Sequence, residues 1–223
     1  MPAFFGRRVR DRVVIEGDDA HHLARSLRAR PGEEIEVVDP EGFMLKVRLE
    51  VVTPARVEGA VTAERVHQPE PAARITIAVA NLPAPSLELV LSRCTEAGAY
   101  AFVVFHSDRS VGRAEKVGRW SAICREAAML AGRLRVPEVS AATSLDTAIG
   151  AFDFPVMLVR DAPRRLADLT EPRDLTLLVG PEGGWTEREL ALAEETASLG
   201  PRNLRVDTAA LVGLAVALAA RRD

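Results

Sequence analysis

The chain is poor in the residues that would staple it, bind a structural metal or anchor it in a membrane. Cys94 and Cys124 are its only cysteines and lie far apart, so no disulfide framework follows and a reducing compartment is expected. The four histidines, His21, His22, His67 and His106, fall in no Cys/His ligand spacing, and no metal site is expected. The first residues, MPAFFGRRVRDRVV, contain no apolar segment of signal-peptide type, so the expected location is cytoplasmic. The longest apolar run, Ala209–Ala220, falls well short of the roughly 20 residues a transmembrane helix needs and is read as a buried helix. Lysine is nearly missing: Lys46 and Lys116 are the only two, and arginine carries the remaining positive charge. Internal repeats and low-complexity tracts are absent.

What is present suits a folded protein. Apolar residues make up 48% of 223, enough for two small domains or one large one. The net charge of −3 is unevenly spread. Residues 1–30 hold seven arginines against four acidic residues, and residues 93–135 hold eight basic against four acidic ones. The segments 31–92 and 136–223 are both acidic. Two basic islands in an acidic chain are either a split anion-binding surface or solvated arginines, and charge alone leaves both open.

The chain changes character near residue 70. Before it, Val13–Ile15, Glu34–Val38, Phe43–Glu50 and Arg56–Val66 are expected strands, and Asp39-Pro-Glu-Gly42 a turn. In Phe43–Glu50, Phe43, Leu45, Val47 and Leu49 alternate with Met44, Lys46, Arg48 and Glu50, the period of a half-buried strand. Asp18 or Asp19 is expected to cap a helix over Ala20–Ala29, ended by Pro31-Gly32. Strands with one helix suggest a small β-barrel. The stretch from His67 to Ala73 is polar, proline-bearing and unpatterned, and the boundary is placed there, giving domains 1–72 and 73–223. Beyond it strands and helices alternate. The strands are Ile75–Ala80, Ala101–His106, Val156–Val159 and Leu175–Val179. The helices are Ser86–Ala97, Ala114–Leu134, Ser144–Phe152, Thr186–Leu199 and Thr208–Ala220. Continuously apolar strands such as Leu175–Val179 belong to a parallel sheet covered on both faces, so this part is expected to be α/β.

Two segments carry candidate chemistry. Leu178-Val179 runs into Gly180-Pro181-Glu182-Gly183-Gly184 and Trp185, then into a capping box, Thr186 with Glu189. Glycines at a strand's carboxyl end let a flat ring approach the backbone, although an ordinary strand-to-helix turn has the same composition. The loop is not GxGxxG and has no Lys-Ser/Thr, so neither a dinucleotide fold nor NTP hydrolysis is indicated. The second segment, Leu199-Gly200-Pro201-Arg202-Asn203-Leu204-Arg205-Val206-Asp207-Thr208-Ala209, enters the apolar final helix and offers Asp207 or Thr208 as a cap.

Together these segments resemble the paired cofactor motifs of the RsmE family, the 16S ribosomal RNA uridine N3-methyltransferases of the SPOUT superfamily. His21-His-Leu-Ala-Arg-Ser-Leu-Arg28 with Gly32, Glu88-Leu-Val-Leu with Thr95-Glu-Ala-Gly98, Arg109-Ser110, Trp120, Glu126-Ala127, Gly132-Arg133 and Pro137 are similarly spaced. The chain departs from the family at Asp207, usually Glu, at Val206, and at Met129-Leu130, often Glu-Gln or Lys-Gln. A lysine common near Ala84 and another at Arg93 are also replaced.

The resemblance implies a PUA-like β-barrel over 1–72 and a knotted α/β methyltransferase domain over 73–223, assembled as a homodimer. It implies S-adenosyl-L-methionine bound by Leu178, Val179, Gly180, Pro181, Glu182, Gly183, Gly184, Leu199, Gly200, Asn203, Leu204, Val206, Thr208 and Ala209. Uridine N3 must lose a proton before it attacks, so the site needs a base and a donor for the charge that spreads to the ring oxygens. Arg205 is the candidate donor, and Asp207 or Glu182 the candidate base. His22, Arg25, Arg28, Arg109 and Arg133 are the expected contacts to ribosomal RNA or the small subunit. A catalytically weakened RNA- or cofactor-binding relative, or a SPOUT methyltransferase with another RNA target, fits the same motifs.

Overall fold

In the computed structural model, which describes residues 2–112, 116–171 and 173–221, the alternation of Phe43–Glu50 becomes a strand with one wet face. Leu45, Val47 and Leu49 are buried, while Lys46, Arg48 and Glu50 are exposed. Met44 breaks the rule, buried with Ala3 and Val38 in a small cluster of its own. The strand belongs to a compact unit made of Met1–Glu70 with Ala128–Arg135. Its elements are β1 (Phe4–Phe5), β2 (Arg7–Val9), β3 (Arg12–Glu16), α1 (Asp18–His21), β4 (Glu34–Asp39), β5 (Phe43–Val52) and β6 (Arg56–Val66).

The sheet order is β1-β4-β5-β6-β3-β2. β1 pairs parallel with β4, and the other pairs are antiparallel. β1 and β2 are separated by Gly6 alone, yet they lie at opposite ends of that order, so the sheet curls until both edges meet on one segment. The curl encloses Phe4, Ile15, Leu23, Val37, Leu45 and Leu49. At the junction, a Cβ on Gly6 would lie 2.7 Å from Val13 Cγ1 and 2.8 Å from Val37 Cγ1. Only glycine fits between β3 and β4 there.

The expected helix over Ala20–Ala29 starts earlier and is shorter. It begins at Asp18 after Gly17 (φ 68°) and continues as a π-helical turn over His22–Ser26. Asp18 and Asp19 lie inside its first turn, and the cap residue makes no side-chain hydrogen bond. It ends ahead of Ala29 because Arg28 adopts a left-handed backbone, φ 53°.

The second unit is Pro71–Ala127 with Val136–Asp223. It contains β7 (Ile75–Ala80), α2 (Ala84–Glu96), β8 (Ala101–Phe105), most of α3 (Val117–Ala131), β9 (Glu138–Ala142), α4 (Leu145–Ile149), β10 (Pro155–Leu158), β11 (Leu175–Val179), α5 (Glu187–Leu190), β12 (Glu195–Ala197) and α6 (Val206–Ala219). The six strands are parallel, in the order β12-β10-β11-β7-β8-β9. Ile75, Ile77, Val79, Leu175 and Leu177 pack in one core cluster with residues of α2 and α6. Ala78, Ala80, Met157 and Leu178 pack in another with Phe105 and Leu145. Both faces are covered, which explains the absence of polar alternation in these strands.

Three expectations change. The helix expected over Thr186–Leu199 is a single turn, α5, because Glu195–Ala197 leaves it to pair with β10 as an edge strand. β9 was not expected, and it pairs with β8 along its whole length. The helix expected from Ala114 begins at Val117, and Ala114 itself lies outside the described residues. No helix among the described residues is long and apolar enough to cross a membrane. Cys94 and Cys124 are free and buried in one core. Burial, and then the charge of Cys124, pushes the Cys94 thiol up to about 12, so it is an inert packing residue.

Gly6→Ala should destabilise the first unit by about 1–3 kcal/mol through overpacking, read as a lower urea midpoint at unchanged slope. An unchanged midpoint would mean that the curled sheet has slack at this junction.

Candidate active site

All six strands of the parallel sheet present their carboxyl ends on one edge, where open α/β sheets bind ligands. Three neighbouring strands, β12, β10 and β11, send their following loops into one cleft of about 600 Å³. Its walls are Leu158–Asp161 after β10, Val179–Glu182 with Gly184 and Trp185 after β11, and Leu199–Val206 without Pro201 after β12. Ala209, in the first turns of α6, and Leu190 complete it.

The glycine loop has specific reasons for its composition. Trp185 stacks on Phe105, ring centroids 6.1 Å apart and 5° from parallel, and its Nε1–H donates to Leu158 O at 3.0 Å. The ring lies against Gly180, where a Cβ would come within 2.8 Å of Trp185 Cε2. Gly184 has φ 71°, a conformation that costs other residues free energy. Gly183 packs under Arg109, whose Cβ would be 3.2 Å from a Cβ on the glycine.

A second loop, Ser107–Ser110 after β8, clamps this wall. Arg109 Nη1 donates to Gly183 O at 2.7 Å and to Trp185 O at 3.4 Å. Behind it sits Glu189, fully buried. Its carboxylate accepts from Ser107 Oγ at 2.7 Å, Asp108 N at 3.0 Å, Thr186 N at 2.9 Å and Thr186 Oγ1 at 3.1 Å. Burial alone would raise its pKa. The donors at Thr186, Ser107 and Asp108 outweigh that, and the carboxyl is held below its ordinary value. On the surface Arg188 ties Asp108 to Asp146, at 2.7 and 2.5 Å, and its hydrogen bond with that of Thr186 holds the Asp108 carboxyl low.

The structure gathers Val179, Gly180, Pro181, Glu182, Gly184, Leu199, Gly200, Asn203, Leu204, Arg205, Val206 and Ala209 around the cleft. Leu178 is in the core, and Gly183 and Thr208 are not among the lining residues. Arg205, at the N-cap of α6, lines the cleft and is exposed, as is Glu182. Asp207 does not line it: its carboxylate faces Arg93 Nη1 of α2 at 3.7 Å. Asn203 Oδ1 accepts from Arg160 Nη1 at 2.8 Å, which links the loops after β12 and β10.

Among the expected RNA contacts, His22, Arg25 and Arg28 are exposed on the first unit. Arg133 is a correction. It is 3% exposed and pairs with Glu70, Nη2 to Oε2 at 2.5 Å, so it is a structural ion pair and not a surface cation. Arg109 is exposed, but its guanidinium holds loop carbonyls. The residues missed are Leu158–Asp161, Leu190 and Arg202. The strand before Leu158 was legible, but its adjacency to β11 was not. Among the described residues no three His, Cys, Asp or Glu side chains could hold a metal ion together.

The cleft joins an apolar floor, glycine-loop backbone and both signs of charge, the lining of a site for a flat, polar small molecule. The SpoU methyltransferase AviRb from Streptomyces viridochromogenes shares the fold, with TM-score 0.50 and 15% identity over 75% of this chain and 66% of that one. That likeness is one of fold, an α/β domain on a parallel sheet, and the class comes from the family models. Residues 68–218 match the RNA methyltransferase domain family and residues 15–59 the RNA methyltransferase PUA domain. The ribosomal RNA small subunit methyltransferase E of Bacillus subtilis is 30% identical, over 90% of this chain and 87% of its own. A ribosomal RNA small subunit methyltransferase E from Neisseria gonorrhoeae, solved bound to S-adenosyl methionine, superimposes with TM-score 0.85 at 27% identity, over 96% and 95% of the two chains. The chain belongs to this RNA methyltransferase family.

Glu189→Gln sets amide donors against donors and should cost about 2–3 kcal/mol at neutral pH. Because the folded carboxyl is lowered from 4.5, its contribution is complete above that value and fades as pH falls through the folded pKa. Urea melts of both proteins should therefore converge in acid. A gap still constant at about pH 3 would deny the buried carboxylate this role.

Proposed function

We propose that this chain methylates N3 of a specific uridine in 16S ribosomal RNA of the small subunit, with S-adenosyl-L-methionine as donor. The observation that carries the reading is the cleft built by the Val179–Trp185 and Leu199–Val206 loops at adjacent strand ends, in a chain of the RNA methyltransferase family. The residues fit this cofactor: Val179, Gly180 and Pro181 bring loop backbone to the cleft, and Leu158, Leu199, Leu204 and Ala209 offer apolar contact. When bound, the cofactor supplies an electrophilic methyl group.

The chain's own residues do the rest. Glu182 is the carboxylate that takes the N3 proton. Arg205 donates to the neighbouring ring carbonyls as negative charge reaches them. Asp207, engaged with Arg93, sets the start of α6. Residues 1–72 act as the PUA-like RNA-binding domain, with His22, Arg25 and Arg28 toward RNA. Residues 73–223 act as the catalytic domain, knotted, homodimeric and working in the cytoplasm. The support is the family membership and the N. gonorrhoeae relative's bound S-adenosyl methionine.

Arg205→Ala should lower single-turnover methylation roughly 10²–10³-fold with cofactor affinity intact, and Arg205→Lys should recover part of it. A lower melting temperature with unchanged turnover would make Arg205 structural instead. Arg25→Ala with Arg28→Ala should flatten the salt dependence of RNA binding, by a slope of about 2 if both touch phosphates. Nucleoside mass spectrometry of small-subunit RNA, methylated by the purified protein, tests the target. Methyl groups on any position other than uridine N3 would overturn it.

A further inference from the structure

The loop after β12 has a second concave side. A pocket of about 250 Å³ opens there, with Arg165, Ser198 and Arg202 as its polar lining. It shares Leu199, Gly200 and Arg202 with the larger cleft, so the two lie on either side of one piece of chain. Ser198 extends the ladder of β12: its N–H donates to Arg164 O at 2.9 Å, and Leu166 N–H donates to its O at 3.0 Å. This parallel bridge sets Arg165 directly beside Ser198. Arg202 reaches the same place from the other end of the loop. Gly200 has φ 102°, and a Cβ on it would lie 3.9 Å from Arg202 Nη2, so the guanidinium sits over the glycine.

The charge of this pocket has one sign. Among the described residues no Asp or Glu lines it. The neighbouring arginines are neutralised, Arg160 by Asp161 and Arg164 by Glu195 at 3.7 Å. Arg165 and Arg202 are exposed and have no carboxylate partner among the described residues. Ser198 is 8% exposed, and among the described residues its hydroxyl has no hydrogen-bond partner and is not sealed from the surface. Two cations on one small pocket repel each other, and a nearly buried hydroxyl left unpaired forgoes the stabilisation of a hydrogen bond. A tetrahedral anion answers both: guanidinium forks match phosphate oxygens, and a hydroxyl donates to one of them.

We propose that this pocket is a phosphate subsite, in which Arg165, Arg202 and the Ser198 hydroxyl donate to the oxygens of one phosphate. It deepens the RNA methyltransferase reading and rests on it for the natural occupant, a backbone phosphate of the RNA near the target nucleotide. A free phosphate has the same chemistry. Because the pocket and the cleft share the Leu199–Gly200 wall, a phosphate held here fixes the RNA backbone beside the cleft without touching the reacting atoms.

Titration of the full chain with inorganic phosphate, followed by the guanidinium Nε–H resonances of Arg165 and Arg202, tests the subsite. Both are expected to shift with one common affinity. In Arg165→Ala the shift of Arg202 should need roughly tenfold more phosphate, and Arg165→Lys should recover part of that loss. No shift, two different affinities, or an Arg202 shift indifferent to Arg165→Ala overturns the proposal. So does competition by saturating S-adenosyl-L-methionine, which would make the pocket part of the cofactor site. A short single-stranded RNA that displaces the phosphate, with a salt slope smaller by about 0.7 in Arg165→Ala, identifies the RNA backbone as the source and supports the subsite. An RNA that leaves the phosphate in place identifies a free phosphate and supports it equally. Methylation of RNA by the wild-type chain, assayed separately, decides the parent reading, because the phosphate titration does not depend on turnover.

Discussion

The Glu189 carboxylate is an ionised group with no access to water, and burying such a charge is tolerated only when its lone pairs are all met. The donors come from two places. Thr186 belongs to the same capping box, whereas Ser107 is 82 residues away, in the loop after β8. One charge therefore locks the loop after β8 to the loop after β11. Arg109 follows in the same segment and reaches the carbonyls of Gly183 and Trp185. Trp185 in turn stacks on Phe105 and covers Gly180. The wall of the cleft is the outcome of that chain of contacts.

The rest of the cleft depends on strand order. β11 lies between β10 and β7, and β12 returns to the outer side of β10. Three loops distant in sequence then emerge side by side, because every strand points the same way. Helix geometry divides the residues of the last loop. Arg205 is the N-cap, with extended backbone (φ −64°, ψ 156°), whereas Asp207 lies in the first turn of the helix. With Val206 and Ala210 buried, Arg205 stays at the cleft and Asp207 turns to Arg93 on α2. Two charged residues that look alike as candidates in sequence acquire different surroundings from one turn of backbone.

The charge islands show the same division. Arg25, Arg28 and Arg133 are equivalent cations when read along the chain. The first two are exposed, but Arg133 is buried against Glu70, a residue of the polar, unpatterned stretch taken for a plain boundary. The capping box at Thr186 was legible and is present, while the length of the helix after it was not. Glu195–Ala197 gains ladder hydrogen bonds to β10 that no local propensity registers. β1 and β2 escaped notice because strands of two and three residues carry no periodicity, although they join the two edges of the curled sheet.

Periodicity and turn chemistry act between near neighbours, so the sequence by itself determined the half-buried strands of the first unit, the alternation of strand and helix after residue 73, and the glycine loop with its capping box. It also determined the family, through two motifs in tandem. The tertiary structure alone decided which loops share the cleft, which arginines remain in water, and that Asp207 faces Arg93. Those outcomes turn on strand adjacency and on the burial of charge between residues tens of positions apart, and a linear pattern carries no record of either.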